Sequence, residues 1–248
     1  MSGTTLGTWL TRPDLAIAEA CARHPAFDWL VIDMEHTPIT TAQAEGQLRV
    51  VQSHGKRAYV RMPSLDPPLI GKMLDLGADG IIVPMVNTAE EAARAVQACF
   101  YPPRGRRGVG LSRAQAYTAE GFVQYRKTRH DDLRVIVQIE HCAALPNLRE
   151  IFAVQGLYGF FIGPYDLSAS LGRPGDFACD EMRQAMANIR DVGRAAGLVA
   201  GLHVVEPDPA EVQRRISEGY GFIAVSFDML FLIRSLEATL NPLAHRPT

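Results

Sequence analysis

The chain of 248 residues predicts an α/β fold, a closed (β/α)₈ TIM barrel. Short β-branched or aromatic runs alternate with longer segments in which apolar residues recur every three or four positions. Eight such runs can be read. They are close to continuously apolar (WLVI, GIIVPMV, RVIVQI, YGFFIG, GFIAVSF), the pattern of strands covered inside by barrel side chains and outside by helices. An open doubly wound sheet is the competing arrangement. It would call for GxGxxG after the first strand, whereas GVG at 108–110 lies in a long irregular stretch.

In order, the first strand is expected at Gly7–Leu10, before the helical segment LAIAEACARH. The second runs over Trp29–Glu35 and the third over Ala58–Met62, with IGKMLDLG following. The fourth, Gly80–Val86, leads into AEEAARAVQACF. Tyr101 to about Thr118 then forms the one long irregular connection, placed either over the barrel mouth or out in solvent. The remaining strands are expected at Val135–Glu140, Gly159–Gly163, Val199–Val204 and Phe222–Phe227, with PAEVQRRISEG between the last two. Several helical segments end in Gly, as a left-handed cap requires.

Composition narrows the function. With 47% hydrophobic and 21% charged residues and no Pro-, Gly- or Ser-rich linker, residues 1–248 read as one globular domain. A net charge of −2 leaves no basic excess for nucleic acid. Cys21, Cys99, Cys142 and Cys179 form no CxxC pair, so buried free thiols are expected rather than a zinc or redox motif. No signal-peptide pattern opens the chain and no apolar run reaches about 18 residues, so a soluble, cytoplasmic protein without a membrane segment is expected.

In a barrel of this kind the chemistry belongs at the C-terminal ends of the strands. Those ends carry Asp33, Glu35 and His36 on the second strand, Arg61 on the third, Gln138, Glu140 and His141 on the fifth, and Gly163, Pro164, Tyr165 and Asp166 on the sixth. Two carboxylates on adjacent strands, Glu140 and Asp166, repel unless a cation or proton lies between them, and a hard divalent ion answers that need. As separate helix caps or ion-pair partners they would need no metal, and spacing alone does not choose. His36 is a candidate base that Asp33, Glu35 or Asp75 could orient. Arg61 suits a carboxylate or an oxyanion, or pairs with a nearby acid. The three lysines, Lys56, Lys72 and Lys127, fall away from strand C-terminal ends, which disfavours a Schiff-base mechanism.

These residues lie in segments that resemble the HpcH/HpaI class II aldolases: GTWL at 7–10, FDWLVIDMEH at 27–36, VRMP at 60–63, LDLGADGIIVPMV at 74–86, YPPRGRRGVG at 101–110, VIVQIE at 135–140 and GFFIGPYDLSASLG at 159–172. The resemblance implies reversible, metal-dependent cleavage of a 4-hydroxy-2-oxo acid to pyruvate and an aldehyde. It makes His36 the base, Arg61 the stabiliser of the transition state, and Glu140 and Asp166 the ligands of Mg²⁺, Mn²⁺ or Co²⁺. Asp75 becomes the acid that raises the basicity of the histidine, with Asp33 the other possible partner. Gln138, Gly163, Pro164, Tyr165, Asp166 and Trp9 become the substrate-binding set. A phosphoenolpyruvate/pyruvate-domain-like barrel with an exchanged C-terminal helix and a hexameric trimer-of-dimers assembly is also implied. Tyr165, His141, His203 and LSRAQAY depart from the family pattern and are placed on the aldehyde side. Related metal-enolate chemistry (oxaloacetate decarboxylase, a macrophomate-synthase-like catalyst, an acyl-CoA lyase) is the nearest alternative, and a non-catalytic barrel the more distant one.

Overall fold

The computed structural model describes residues 3–243; residues 1–2 and 244–248, the two ends of the expected domain, lie outside them. Eight parallel strands close into a barrel in chain order, with the first paired to the last. They are β1 (Thr5–Leu10), β2 (Trp29–Asp33), β3 (Arg57–Arg61), β4 (Gly80–Val83), β5 (Arg134–Ile139), β6 (Gly159–Ile162), β7 (Val199–Val204) and β8 (Phe222–Phe227). Helices α1 (Leu15–Arg23), α2 (Thr41–Ser53), α3 (Pro67–Asp75) and α4 (Ala89–Cys99) surround the first half. Around the second half lie α5 (Ala119–Thr128), α6 (Leu148–Phe152), α7 (Pro164–Ser170), α8 (Asp180–Ala195), α9 (Pro209–Ser217) and α10 (Asp228–Leu240). The helices start where their sequences provide caps: the side chains of Asp14, Thr40, Asp66, Thr88, Thr118 and Asp208 each accept a first-turn N–H.

Every residue of β2 and β4 is buried, as continuously apolar strands require. Outward side chains join the helices in one large core, and inward ones form a second cluster in the lumen. Near the N-terminal end of the lumen, Trp29 stacks on Phe222 with ring centroids 3.8 Å apart, and Tyr59 meets Phe222 edge-on at 5.4 Å. Room for the indole comes from Gly7, where any Cβ would collide with the Trp29 ring.

Strand ends fall short of the expected ones for local reasons. Pro84 lacks an N–H and Met85 adopts φ 54°, so β4 stops at Val83 rather than Val86. The Asp33 carboxylate accepts from Glu35 N at 3.0 Å, turning the chain out of β2 before Glu35. The loop from Tyr101 does not cover the mouth. Helix α4 has already carried the chain back towards the N-terminal end, where Arg113 donates to Leu76 O at 2.8 Å and Arg107 pairs with Asp75 at 2.6 Å. Of the four free cysteines only Cys99 is fully buried; the others are partly so.

Helix α10 stands apart. Leu232, Ile233, Leu236 and Leu240 are all exposed, whereas its first residue is tied down. The buried Asp228 carboxylate accepts from Thr11 N at 2.8 Å and Arg12 N at 3.1 Å, joining the head of α10 to the loop after β1.

Candidate active site

Alternation along the strands places one side chain per strand at the C-terminal level of the lumen: Trp9 from β1, Asp33 from β2, Arg61 from β3, Gln138 from β5 and His203 from β7. Together with the turn Gly163–Asp166 they line a cavity of about 520 Å³ at the mouth.

Arg61 is held most firmly. Its Nε donates to Asp33 Oδ1 at 2.9 Å and its Nη2 to Oδ2 at 2.7 Å, a bidentate pair with both side chains largely buried. Nη1 lies 3.1 Å from Glu35 Oε2, and the guanidinium covers the Trp9 ring at 4.5 Å. Asp33 is therefore the partner of Arg61 within this chain, and not of His36, for which the sequence offered it as one of three possible acids. The carboxylate spends both oxygens on the arginine, which it fixes at the mouth.

Asp75 lies elsewhere in the chain. It ends α3, bound by Arg107 at 2.6 Å and by Gln115 at 3.2 Å, and within this chain it does not reach His36. The acid beside His36 is Glu35, whose Oε2 lies 3.7 Å from Nε2. Of the three acids the sequence offers as partners of His36, Glu35 is the one that stands beside it.

Three carboxylates converge opposite Arg61. Glu140 is buried, with Oε1 accepting from Met85 N at 2.7 Å and Oε2 from the Gln138 amide. Burial above all, then the charges of Glu35 and Asp166, push its carboxyl up to about 7. Glu35 is also pushed up to about 7, by burial first and by Asp33 and Asp166 besides, against the opposing pull of Arg61. Asp166 lies in the first turn of α7 and makes no hydrogen bond among the described residues; Gly163, not an acid, is the N-cap. The cap reading of the pair therefore fails, and so does a plain ion-pair reading, because Arg61 serves Asp33 and Glu35.

The donor set fits a hard divalent cation. Glu35 Oε2 and Gln138 Oε1 are buried without a hydrogen bond, and like charges sit together with one arginine between them. Gly163 leaves the space open: a Cβ there would come within 2.7 Å of Glu140 Oε2. Among the described residues no group of three or more His, Cys, Asp or Glu is arranged to hold a metal, so Glu140 and Asp166 would be joined by water or substrate oxygens, as hard cations accept. None of the lysines lines the cavity.

A parallel barrel whose ionisable groups gather at its C-terminal mouth is the frame of a (β/α)₈ enzyme. The chain belongs to the HpcH/HpaI aldolase/citrate lyase family, whose model matches residues 5–235. A 4-hydroxy-2-oxovalerate aldolase of Rhodococcus jostii (strain RHA1) is 41% identical over 95% of this chain and 90% of its own length. A 2-keto-3-deoxy-L-rhamnonate aldolase of Escherichia coli (strain K12) is 40% identical over 95% and 87%. In three dimensions, an HpcH/HpaI aldolase/citrate lyase family protein from Burkholderia cenocepacia J2315 superposes with a TM-score of 0.90 at 33% identity, covering 97% of this chain and 95% of that one.

Proposed function

We propose that this protein is a class II pyruvate aldolase, a carbon–carbon lyase that reversibly cleaves a 4-hydroxy-2-oxo acid to pyruvate and an aldehyde. The observation that carries the reading is the convergence of Glu140, Asp166 and Glu35 opposite a fixed arginine in the barrel mouth. Glu140 and Asp166 would hold a divalent cation, Mg²⁺, Mn²⁺ or Co²⁺, which would supply Lewis acidity to the pyruvate half. Arg61, locked by Asp33, faces the C4 oxygen, where negative charge develops when its proton leaves. His36 takes that proton, with Glu35 beside it to orient the ring. As the C3–C4 bond breaks, its electron pair passes to the pyruvate half. Gln138, Gly163, Pro164 and the first-turn N–H groups of Tyr165 and Asp166 position that half, and Trp9 walls the cavity on the β1 side.

We read residues 1–248 as one catalytic domain acting as a homo-oligomer. The exposed apolar side chains of α10 support an exchanged C-terminal helix and, by the family pattern, a trimer of dimers. No described helix is long and apolar enough to cross a membrane; the cytoplasm is the compartment proposed.

The test is pyruvate release from a panel of 4-hydroxy-2-oxo acids, with oxaloacetate included, in the presence and absence of a chelator. Turnover is expected to require added Mg²⁺, Mn²⁺ or Co²⁺, and His36→Ala is expected to lose about 10² to 10⁴ in rate while keeping the barrel's circular dichroism. Chelator-insensitive turnover, or a folded His36→Ala enzyme of near-parental activity, would contradict the reading.

A further inference from the structure

Strand β7 brings a histidine into the layer that carries the chemistry. Val199 packs against the inner cluster, and by alternation Gly201 and His203 face the lumen as well. His203 lines the same cavity as Arg61 and Asp166, and its ring centroid lies 5.7 Å from that of Trp9.

The backbone across from it is irregular. The pairing of β1 with β8 shifts register between Gly7 and Trp9, and Ser226 there adopts φ 51°. The Ser226 carbonyl accepts from Thr8 Oγ1 at 3.1 Å and from His203 Nε2 at 3.0 Å. The imidazole is thereby oriented and its tautomer chosen: Nε2 carries the hydrogen and Nδ1 the lone pair. Burial first, and the Arg61 charge besides, push the ring's pKa down to about 4, so it stays neutral near pH 7. No described residue donates to Nδ1.

Pyruvate is assigned to β5 and β6, and proton transfer to β2 and β3. The arc from β7 through β8 to β1, with His203, Phe227, Met229 and Trp9, is left for the aldehyde half. The C4 hydroxyl is already engaged by His36 and Arg61, and no oxygen of the pyruvate half can donate to a lone pair, so Nδ1 calls for a further hydroxyl. A carboxylate tail would bring only further lone pairs, and an alkyl tail would leave the nitrogen unmet.

We propose that His203 is a specificity-determining residue whose Nδ1 accepts a hydrogen bond from a hydroxyl on the aldehyde half, so that the enzyme prefers 4-hydroxy-2-oxo acids with a further hydroxyl beyond C4. This rests on the aldolase reading above. The test compares kcat/KM for Mn²⁺-dependent pyruvate release from a 4,5-dihydroxy-2-oxo acid and from its 5-deoxy counterpart of equal length. The parent enzyme prefers the dihydroxy substrate by about tenfold or more, the scale of one hydrogen bond. In His203→Leu the ratio falls towards one. In His203→Gln, whose amide oxygen can accept the same hydrogen, it stays within about threefold of the parent's. A parent without preference, or a His203→Leu ratio equal to the parent's because both substrates suffer alike, overturns the proposal while leaving the aldolase reading intact. A parent that releases pyruvate from neither substrate with any of the three metals refutes the aldolase reading itself.

Discussion

The two ends of the barrel lumen are built from the same strands, a few residues apart, on opposite principles. Towards the N-terminal end Trp29, Tyr59 and Phe222 stack with essentially no exposure, and their polar atoms are met: Trp29 Nε1 by Thr5 and Tyr59 Oη by Arg134. At the C-terminal end Glu35, Gln138 and Trp9 each keep a buried polar atom without a hydrogen bond, and two carboxyls are pushed up to about 7. One layer is complete in itself and serves stability. The other is complete only with something added, the condition in which unmet polar groups mark function.

That contrast is open to breakage, most drastically at Glu140. Glu140→Gln keeps an acceptor for Met85 N and removes a repelling charge, so we expect activity to fall by about 10³ or more with loss of the metal-induced rise in Tm, and a metal-free Tm no lower than the parent's. Activity assays and thermal melts with and without Mn²⁺ check this; a variant that is both inactive and strongly destabilised would mean that the mouth holds the fold together. Phe222→Ala should do the reverse. Removing the ring from between Trp29 and Tyr59 is expected to cost about 3 to 5 kcal/mol by urea denaturation, while the folded fraction retains kcat within a few-fold. A smaller effect sharpens the comparison through pH. Glu140 and Glu35 titrate near 7 when folded against a reference of 4.5, so their contribution to metal-free stability is full below about 4.5 and is lost as pH rises through 7. Cation binding runs the other way, because protons must leave: Mn²⁺ affinity is expected to strengthen by up to about tenfold per unit for each proton released as pH rises from 5.5 to 7. Calorimetric titrations across that range, finding parallel rather than opposite trends, would separate the carboxyls from the metal.

Much of this was legible before any coordinates, because rim positions in a barrel follow from strand order. Glu140, Asp166 and Arg61 each close an apolar run, and a run of that kind ends at the mouth. Partners were less legible. Asp75 resembles a site residue by its motif, yet it ends a helix, and a helix after a strand returns the chain to the opposite end of the barrel. Sequence proximity makes Asp33 one possible partner of the histidine, whereas the guanidinium on the next strand offers it two parallel hydrogen bonds. The sequence left the Tyr101 loop open between the mouth and solvent, and the same topology takes it away from the mouth. Strand ends at Val83 and Asp33 depend on a left-handed residue and on one turn hydrogen bond, and neither leaves a periodic trace.

The buried carboxylate of Asp228 deserves a last consequence. One side chain clamps the segment bearing Thr11 and Arg12, which rims the pocket, to the first turn of α10, the helix with the exposed apolar face. A displacement of that helix therefore has a direct hydrogen-bonded route to the pocket wall, beside its packing on β1 and β8.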